Sequence, residues 1–259
     1  MDSRKISLFC LLLFSYQGFS QISQPLRVAI QAARKTHDVS LIGMQFLGKP
    51  YASHALSDQN PEKLVVDLNA FDCVTFIENS LALVQSNGID SIYRKGLIHN
   101  RYAGDSITYE KRYHYFSDAM RNLRFPLVGT RDMLVQAPKT FSFLSTYLST
   151  KPAVQIDLVR LRERERALSQ QPFVYTPIAL LNKLLPLLKS GDLIGLVSKK
   201  SSIDFLHTGM VYRQNGHVYL LHASQEFNRV MISKLTLVDY LKTHKQFIGV
   251  CAFRPIFKE

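Results

Sequence analysis

His207 and His222 stand at the two ends of the segment His207-Thr-Gly-Met-Val-Tyr-Arg-Gln-Asn-Gly-His-Val-Tyr-Leu-Leu-His222, and Cys73 lies upstream in Phe71-Asp72-Cys73-Val-Thr-Phe-Ile. A thiol, a base and a group that orients the base are the parts of an acyl-transfer site. In such a site the base removes the thiol proton and the thiolate attacks an amide carbonyl. The base then protonates the leaving amine, and water releases the acyl-enzyme. A second imidazole orients the first only while it keeps a lone pair to accept a hydrogen bond, so His222 must be neutral in that role.

Other chemistry is open to the same residues. A cysteine on a helix commonly serves as a small buried hydrophobe, and His222 taken alone fits a hydrogen-bonded core histidine equally well. Cys73, His207 and His222 could also ligate a catalytic zinc, which needs only three protein ligands. No ligand-dense motif such as His-Glu-x-x-His accompanies them, so the expectation is a site without metal or cofactor.

Positioning begins with the turn. Asn215-Gly216 is the dipeptide favoured where both central turn residues need positive φ, which predicts a two-residue hairpin loop with Gln214 opposite His217. Antiparallel partners keep a constant index sum, so His207 falls opposite Ser224 and Gly209 opposite His222. The two histidines are then diagonal neighbours on one sheet face, with Cα atoms roughly 7–8 Å apart. A loop one residue longer would send them to opposite faces.

After Cys73, the apolar residues Val74, Ile77, Leu81 and Val84 recur at helical spacing, with Glu78, Asn79 and Gln85 elsewhere on the wheel. This predicts a helix that packs its apolar face on the sheet, begins at Cys73 and is capped by Asp72. The first turn's unpaired N–H groups and the dipole favour thiolate over thiol and can donate to a developing oxyanion. A neighbouring imidazolium would lower the thiol pKa further.

These motifs resemble the NlpC-type cell-wall peptidase superfamily: Phe-Asp-Cys at a helix start, Gly191-Asp192 opening a strand, His207-Thr-Gly209 and His222-Ala-Ser224. The segments Gly48-Lys-Pro-Tyr51, Arg101-Tyr102-Ala-Gly104 and Arg112-Tyr113-His114-Tyr115 are similar to its N-acetylmuramoyl-L-alanine amidase-like branch. The resemblance runs from about residue 40 to 255. It implies an α+β papain-like fold with Cys73 as nucleophile, His207 as base and His222 as orienting residue. Tyr51, Asp72, Arg101, Tyr102, Tyr113, His114 and Ser224 are the expected substrate-binding residues, although packing is an equal reading of Tyr102 and Tyr113. Branch members carry a tryptophan after the Tyr-His-Tyr motif; this chain has Phe116-Ser-Asp-Ala119-Met120 there and no tryptophan.

The implied substrate is peptidoglycan or its muropeptides, cut between the muramoyl lactyl group and L-alanine. Three alternatives stand beside it: a γ-D-glutamyl-diamino acid endopeptidase, a lipid acyltransferase, and a wall-binding protein with a vestigial triad. The sequence leaves the oligomeric state undefined.

Arg4 and Lys5 precede the apolar run Ile6 to Phe14, and Gly18-Phe-Ser20 offers small residues before Gln21. Residues 1–20 read as a secretory signal peptide, which places the protein in the periplasm or outside the cell. The run is too short to span a membrane, and no integral membrane segment is expected. Cys73 and Cys251 remain in the mature chain; a disulfide is possible in an oxidising compartment, but Phe247-Ile-Gly-Val-Cys-Ala-Phe is simply a buried strand. The net charge of +12 attracts anionic polymers. Interleaved stacking aromatics are missing, so no nucleic-acid partner is expected.

Residues 21–259 suit one catalytic domain. Helix is expected over Gln24–Met44 and a connecting loop over 45–70. A mostly helical insertion over about 90–185 is expected to shape the cleft, with the run Arg160–Arg166 as a solvated helix face. Strands follow at Leu193–Val197, Phe205–Arg213, His217–His222, Val230–Ser233 and Phe247–Arg254, with a short helix near Leu235–Lys242.

Overall fold

The computed structural model describes residues 22–53, 55–56, 61–150 and 156–257 of the chain. The expected signal peptide lies outside them. Helices run over Gln24–Thr36 (α1), Ser40–Met44 (α2), Cys73–Ser86 (α3), Asp90–Arg101 (α4), Phe116–Asn122 (α5), Phe143–Ser149 (α6), Leu158–Ser169 (α7), Leu181–Leu184 (α8) and Leu237–Thr243 (α9). Strands are Val135–Gln136 (β1), Val174–Pro177 (β2), Leu193–Ser198 (β3), Phe205–Gln214 (β4), His217–Ser224 (β5), Arg229–Thr236 (β6) and Phe247–Phe253 (β7).

The described strands form one antiparallel sheet in the order β1-β2-β7-β3-β4-β5-β6. The five strands and short helix expected after residue 190 are all present. Two more, β1 and β2, arise within the segment expected to be mostly helical. They are two and four residues long, β2 ends in a proline, neither carries an alternating pattern, and together they form one end of the sheet. The single helix expected over Gln24–Met44 is broken at His37, which turns left-handed at φ 55° and closes α1.

Both faces of the sheet are covered. Leu193, Met210, Leu221 and Phe253 pack against α1, α2, α3 and α5. Ile194, Leu196, Val211, Leu220 and Val250 pack against α8 and α9. Every residue of β3 is buried, which explains its unbroken apolar run. α2 approaches the first face so closely that a Cβ on Gly43 would lie 2.8 Å from Leu221 Cδ2 and 2.9 Å from Phe76 Cζ.

The loop before Cys73 does part of a strand's work. Gly48 N–H donates to Val230 O at 2.9 Å, and Tyr51 N–H donates to Asn228 O at 3.0 Å. On its other side, Phe71 N–H donates to Pro50 O and Ala52 N–H to Phe71 O, at 3.1 and 2.9 Å. Residues 48–52 thereby stitch the approach to Cys73 onto the β5–β6 turn.

The run Arg160–Arg166 only partly matches a solvated face. Arg160, Arg162 and Arg166 are exposed. Arg164 instead pairs with Asp118 at 2.6 Å, and Glu165 is buried and accepts from Leu144 N and Ser145 N at the start of α6. A buried carboxylate on two end-of-helix amides is a stable arrangement, and the linear charge pattern does not reveal it. No described helix is long and apolar enough to cross a membrane.

Gly43→Val should lower stability by about 1–3 kcal/mol through overpacking at the α2–sheet contact. A urea unfolding midpoint equal to that of the parent protein would show that the contact is looser than described.

Candidate active site

The hairpin forms as counted. Asn215 and Gly216 have φ of 49° and 79°, and Gln214 pairs with His217 in a register that continues to Met210–Leu221. The ladder stops one pair short of Gly209–His222, yet the strands stay adjacent: a Cβ on Gly209 would lie 3.0 Å from His222 Cβ. His207 Nε2 meets His222 Nδ1 at 2.6 Å, with the rings edge to face at 80°. One nitrogen must donate and the other accept.

Cys73 opens α3, as expected, and Asp72 is its cap. Asp72 Oδ1 accepts from Val74 N at 2.9 Å and Thr75 N at 2.7 Å, while Thr75 Oγ1 accepts from Asp72 N at 2.9 Å, a capping box. Two of the amides expected to serve an oxyanion are spent on that cap. The amide of Cys73, beside its own sulfur, is left as the donor at the helix start.

Thr208, next to His207, fastens the helix to β4: its hydroxyl donates to Cys73 O at 2.9 Å. Tyr51 and Tyr240 complete the surroundings. Burial pushes the Tyr51 hydroxyl up, and the charges of Cys73 and Asp72 add to the shift. Tyr240 is pushed up to about 12 by burial, then by Glu226 and Cys73, and its ring stands 5.9 Å from that of His222.

The electrostatics differ from the sequence expectation. Burial pushes the Cys73 thiol up to about 11, the Asp72 charge adds to this, and hydrogen bonds from Thr208 oppose it. A capping carboxylate beside the sulfur offsets the helix dipole that was expected to favour thiolate. No imidazolium assists. Burial lowers His207 to about 4, with the charge of His244 adding to the effect, and lowers His222 to about 2, with His207 and His244 contributing. These shifts leave the thiol and both imidazoles uncharged near neutral pH.

The other expected binding residues divide. Tyr51 lies beside the thiol. Ser224 is buried, and its Oγ accepts from Phe227 N at 3.2 Å to shape the β5–β6 turn. Arg101 is 1% exposed; its Nε contacts Glu78 Oε2 and its Nη1 donates to Val65 O, each at 2.7 Å. Tyr102 is equally buried and donates to Glu62 Oε1 at 2.8 Å. Glu62 also holds Arg112 through both carboxylate oxygens. Tyr113 is buried with Arg164 over its ring at 5.3 Å. His114 contacts Tyr109 O at 2.7 Å and is held down to about 3 by burial and then by the Arg112 charge. The Arg101–His114 motif thus turns its polar groups inward, where ion pairs need full hydrogen bonding.

That inward set also revises α3. Glu78 and Asn79, expected off its packed face, are 5% and 1% exposed because α4 and Arg101 cover them. Cys251 is buried and free, and its Sγ donates to Val174 O at 3.1 Å. Among the described residues, no three histidine, cysteine or carboxylate side chains gather as metal ligands; the two imidazoles spend a nitrogen each on one another. The linear reading overlooked Thr208, Tyr240 and His244. The spacing of Tyr240 and His244, one helical turn apart beside a predicted helix, is the signal that could have found the last two.

Two measurements check this account. Arg101→Met leaves Glu78 buried without its partner and should cost about 3–5 kcal/mol in denaturant unfolding; an unchanged midpoint would show that the burial of Glu78 does not depend on Arg101. His207 and His222 take up protons below their ordinary value near 6.5, so on acidification the unfolded chain binds them first. Stability should therefore be full above about pH 6.5 and fall toward pH 4, read from the urea midpoint as a function of pH.

The chain is similar to an N-acetylmuramoyl-L-alanine amidase from Bacteroides uniformis at 27% identity and TM-score 0.77, over 84% of this chain and 97% of that one. It is similar to a Bacteroides fragilis protein named as a candidate xylanase at 27% identity and TM-score 0.74, over 82% and 99%. Legionella pneumophila LPG0564, at 17% identity and TM-score 0.64 over 91% and 98%, shares the fold. No curated protein matches. Residues 41–250 match the AmiA-like family model, described as N-acetylmuramoyl-L-alanine amidase-like; the chain belongs to that family.

Proposed function

We propose that the protein is an exported, cysteine-dependent amidase of the NlpC-type, papain-like kind. It hydrolyses the bond between the muramoyl lactyl group and L-alanine in peptidoglycan or muropeptides. The observation that carries the reading is the 2.6 Å contact of His207 Nε2 with His222 Nδ1, placed on the strand that Thr208 ties to Cys73. If His207 Nε2–H donates to His222, the His207 Nδ1 lone pair is free to take the thiol proton. The thiolate attacks the lactyl carbonyl, the Cys73 amide donates to the oxyanion, and the proton returns to the departing L-alanine amine. Water, deprotonated by His207, then releases the lactyl acid and restores the thiol.

The family and the Bacteroides uniformis relative favour the lactyl–alanine bond. Glycoside hydrolysis, suggested by the name of the Bacteroides fragilis neighbour, uses two carboxylates flanking the scissile bond. The groups assembled here are a thiol and imidazoles.

Incubation of purified muropeptides with wild-type and Cys73→Ala protein, followed by mass spectrometry, tests the reading. Release of a stem peptide with a free alanine amine by wild type alone is the expected result. Cleavage at another amide moves the specificity to the endopeptidase class; no turnover at any pH points to lipid acyl transfer or wall binding. For an active enzyme, kcat/KM should be level across neutral pH, because the required protonation state lies between His207 near 4 and Cys73 near 11. A limb midway through that range would contradict a neutral resting pair.

A further inference from the structure

A third imidazole stands beside the histidine pair. His244 follows the C-terminus of α9, and its ring stacks on Tyr240 with centroids 4.0 Å apart and planes 17° apart. His244 Nδ1 lies 2.7 Å from Tyr240 O; a carbonyl only accepts, so this nitrogen carries the hydrogen. Its Nε2 lies 3.6 Å from Glu226 Oε2. When the ring is protonated, both N–H groups therefore face acceptors.

The contacts close on themselves. Tyr240 lies between His244 and His222, edge to face with the latter at 80°. Glu226 belongs to the turn after β5, the strand that carries His222. The groups facing this cluster are Glu226 from the β5–β6 turn, Tyr240 from α9, Cys73 from α3, and His207 and His222 from β4 and β5. Phe247 of β7 supplies an apolar wall. Lys242 and Asp239 on α9 are occupied with each other at 3.9 Å.

We propose that His244, held by Glu226, is a positioning residue for the histidine pair: protonated, it keeps His207 and His222 in the neutral, hydrogen-bonded state, and through Tyr240 it fixes the plane of His222. This rests on the reading of His207 as the base. A positive charge disfavours a second one nearby, and the His244 charge does lower both neighbours. Tyr240 transmits orientation, since a ring stacked on one imidazole and butted by another leaves His222 little freedom to rotate.

The test follows the histidine ring signals by NMR through an acid titration, in Cys73→Ala protein with and without His244→Gln. Removal of the charge should raise the midpoints of His207 and His222 by about 0.5–1 pH unit, the size of a like-charge interaction over a partly screened distance. Glu226→Gln, at a side chain 61% exposed and so harmless to folding, should shift them in the same direction by less. In active enzyme, His244→Gln should move the acid limb of kcat/KM upward by the same amount. Unmoved midpoints in both variants overturn the proposal. The NMR reading needs no turnover, so failure to cleave muropeptides would overturn the amidase reading while the midpoints still decide this one.

Discussion

The contact between His207 and His222 depends on hairpin register, and the rest of the site is arranged around it. Because the side-chain period of a strand is two, a single residue added to the Asn215-Gly216 turn would separate the rings. The absence of a side chain at Gly209 keeps the space between the strands open, since a Cβ there would press on Leu220, Leu221 and His222. Thr208 then uses the same strand to hold the start of α3. Segment 48–52 ties the approach to Cys73 back to the turn after His222, so the thiol and the imidazoles are referenced to one hairpin from two directions.

Burial decides the charge state of that assembly. Two imidazoles in contact cannot both be cations in a poorly solvated site, and the thiol cannot readily ionise beside the carboxylate that caps its helix. The helix dipole is present but works against Asp72 and desolvation. In the reaction proposed above, proton transfer would therefore occur within the attack step, with a neutral base, and the acid–base geometry would matter more than a stored thiolate. The proposed role of the Glu226–His244–Tyr240 cluster runs in the same sense, since Tyr240 stands between His244 and His222.

A second polar network supports the first. Glu62 and Glu78 hold Arg112 and Arg101, and Tyr102 completes the set. This network joins the loop before Cys73 to α3 and α4, and it engages the arginines of the Arg101–His114 motif inside the protein. Its groups have the chemistry for carboxylate recognition, but their partners are carboxylates of the chain itself. Removing one partner of such a pair leaves the other charge buried and uncompensated, which is strongly destabilising.

The local sequence determined a good deal. The Asn-Gly turn set the register and the shared face of the two histidines, and Asp72 set the beginning of the cysteine helix. Apolar runs marked the five strands from Leu193 onward. Each of these follows from interactions between residues close in the chain or from a fixed periodicity. Tertiary structure alone decided the remainder: the short strands β1 and β2, the burial of Glu78, Asn79, Arg101 and Glu165, and the arrival of Tyr240 and His244 beside His222. It also reversed the expected direction of the Cys73 shift. Those outcomes depend on which distant groups exclude water or bring charge, and neither desolvation nor a through-space charge is written in the spacing of residues along a chain.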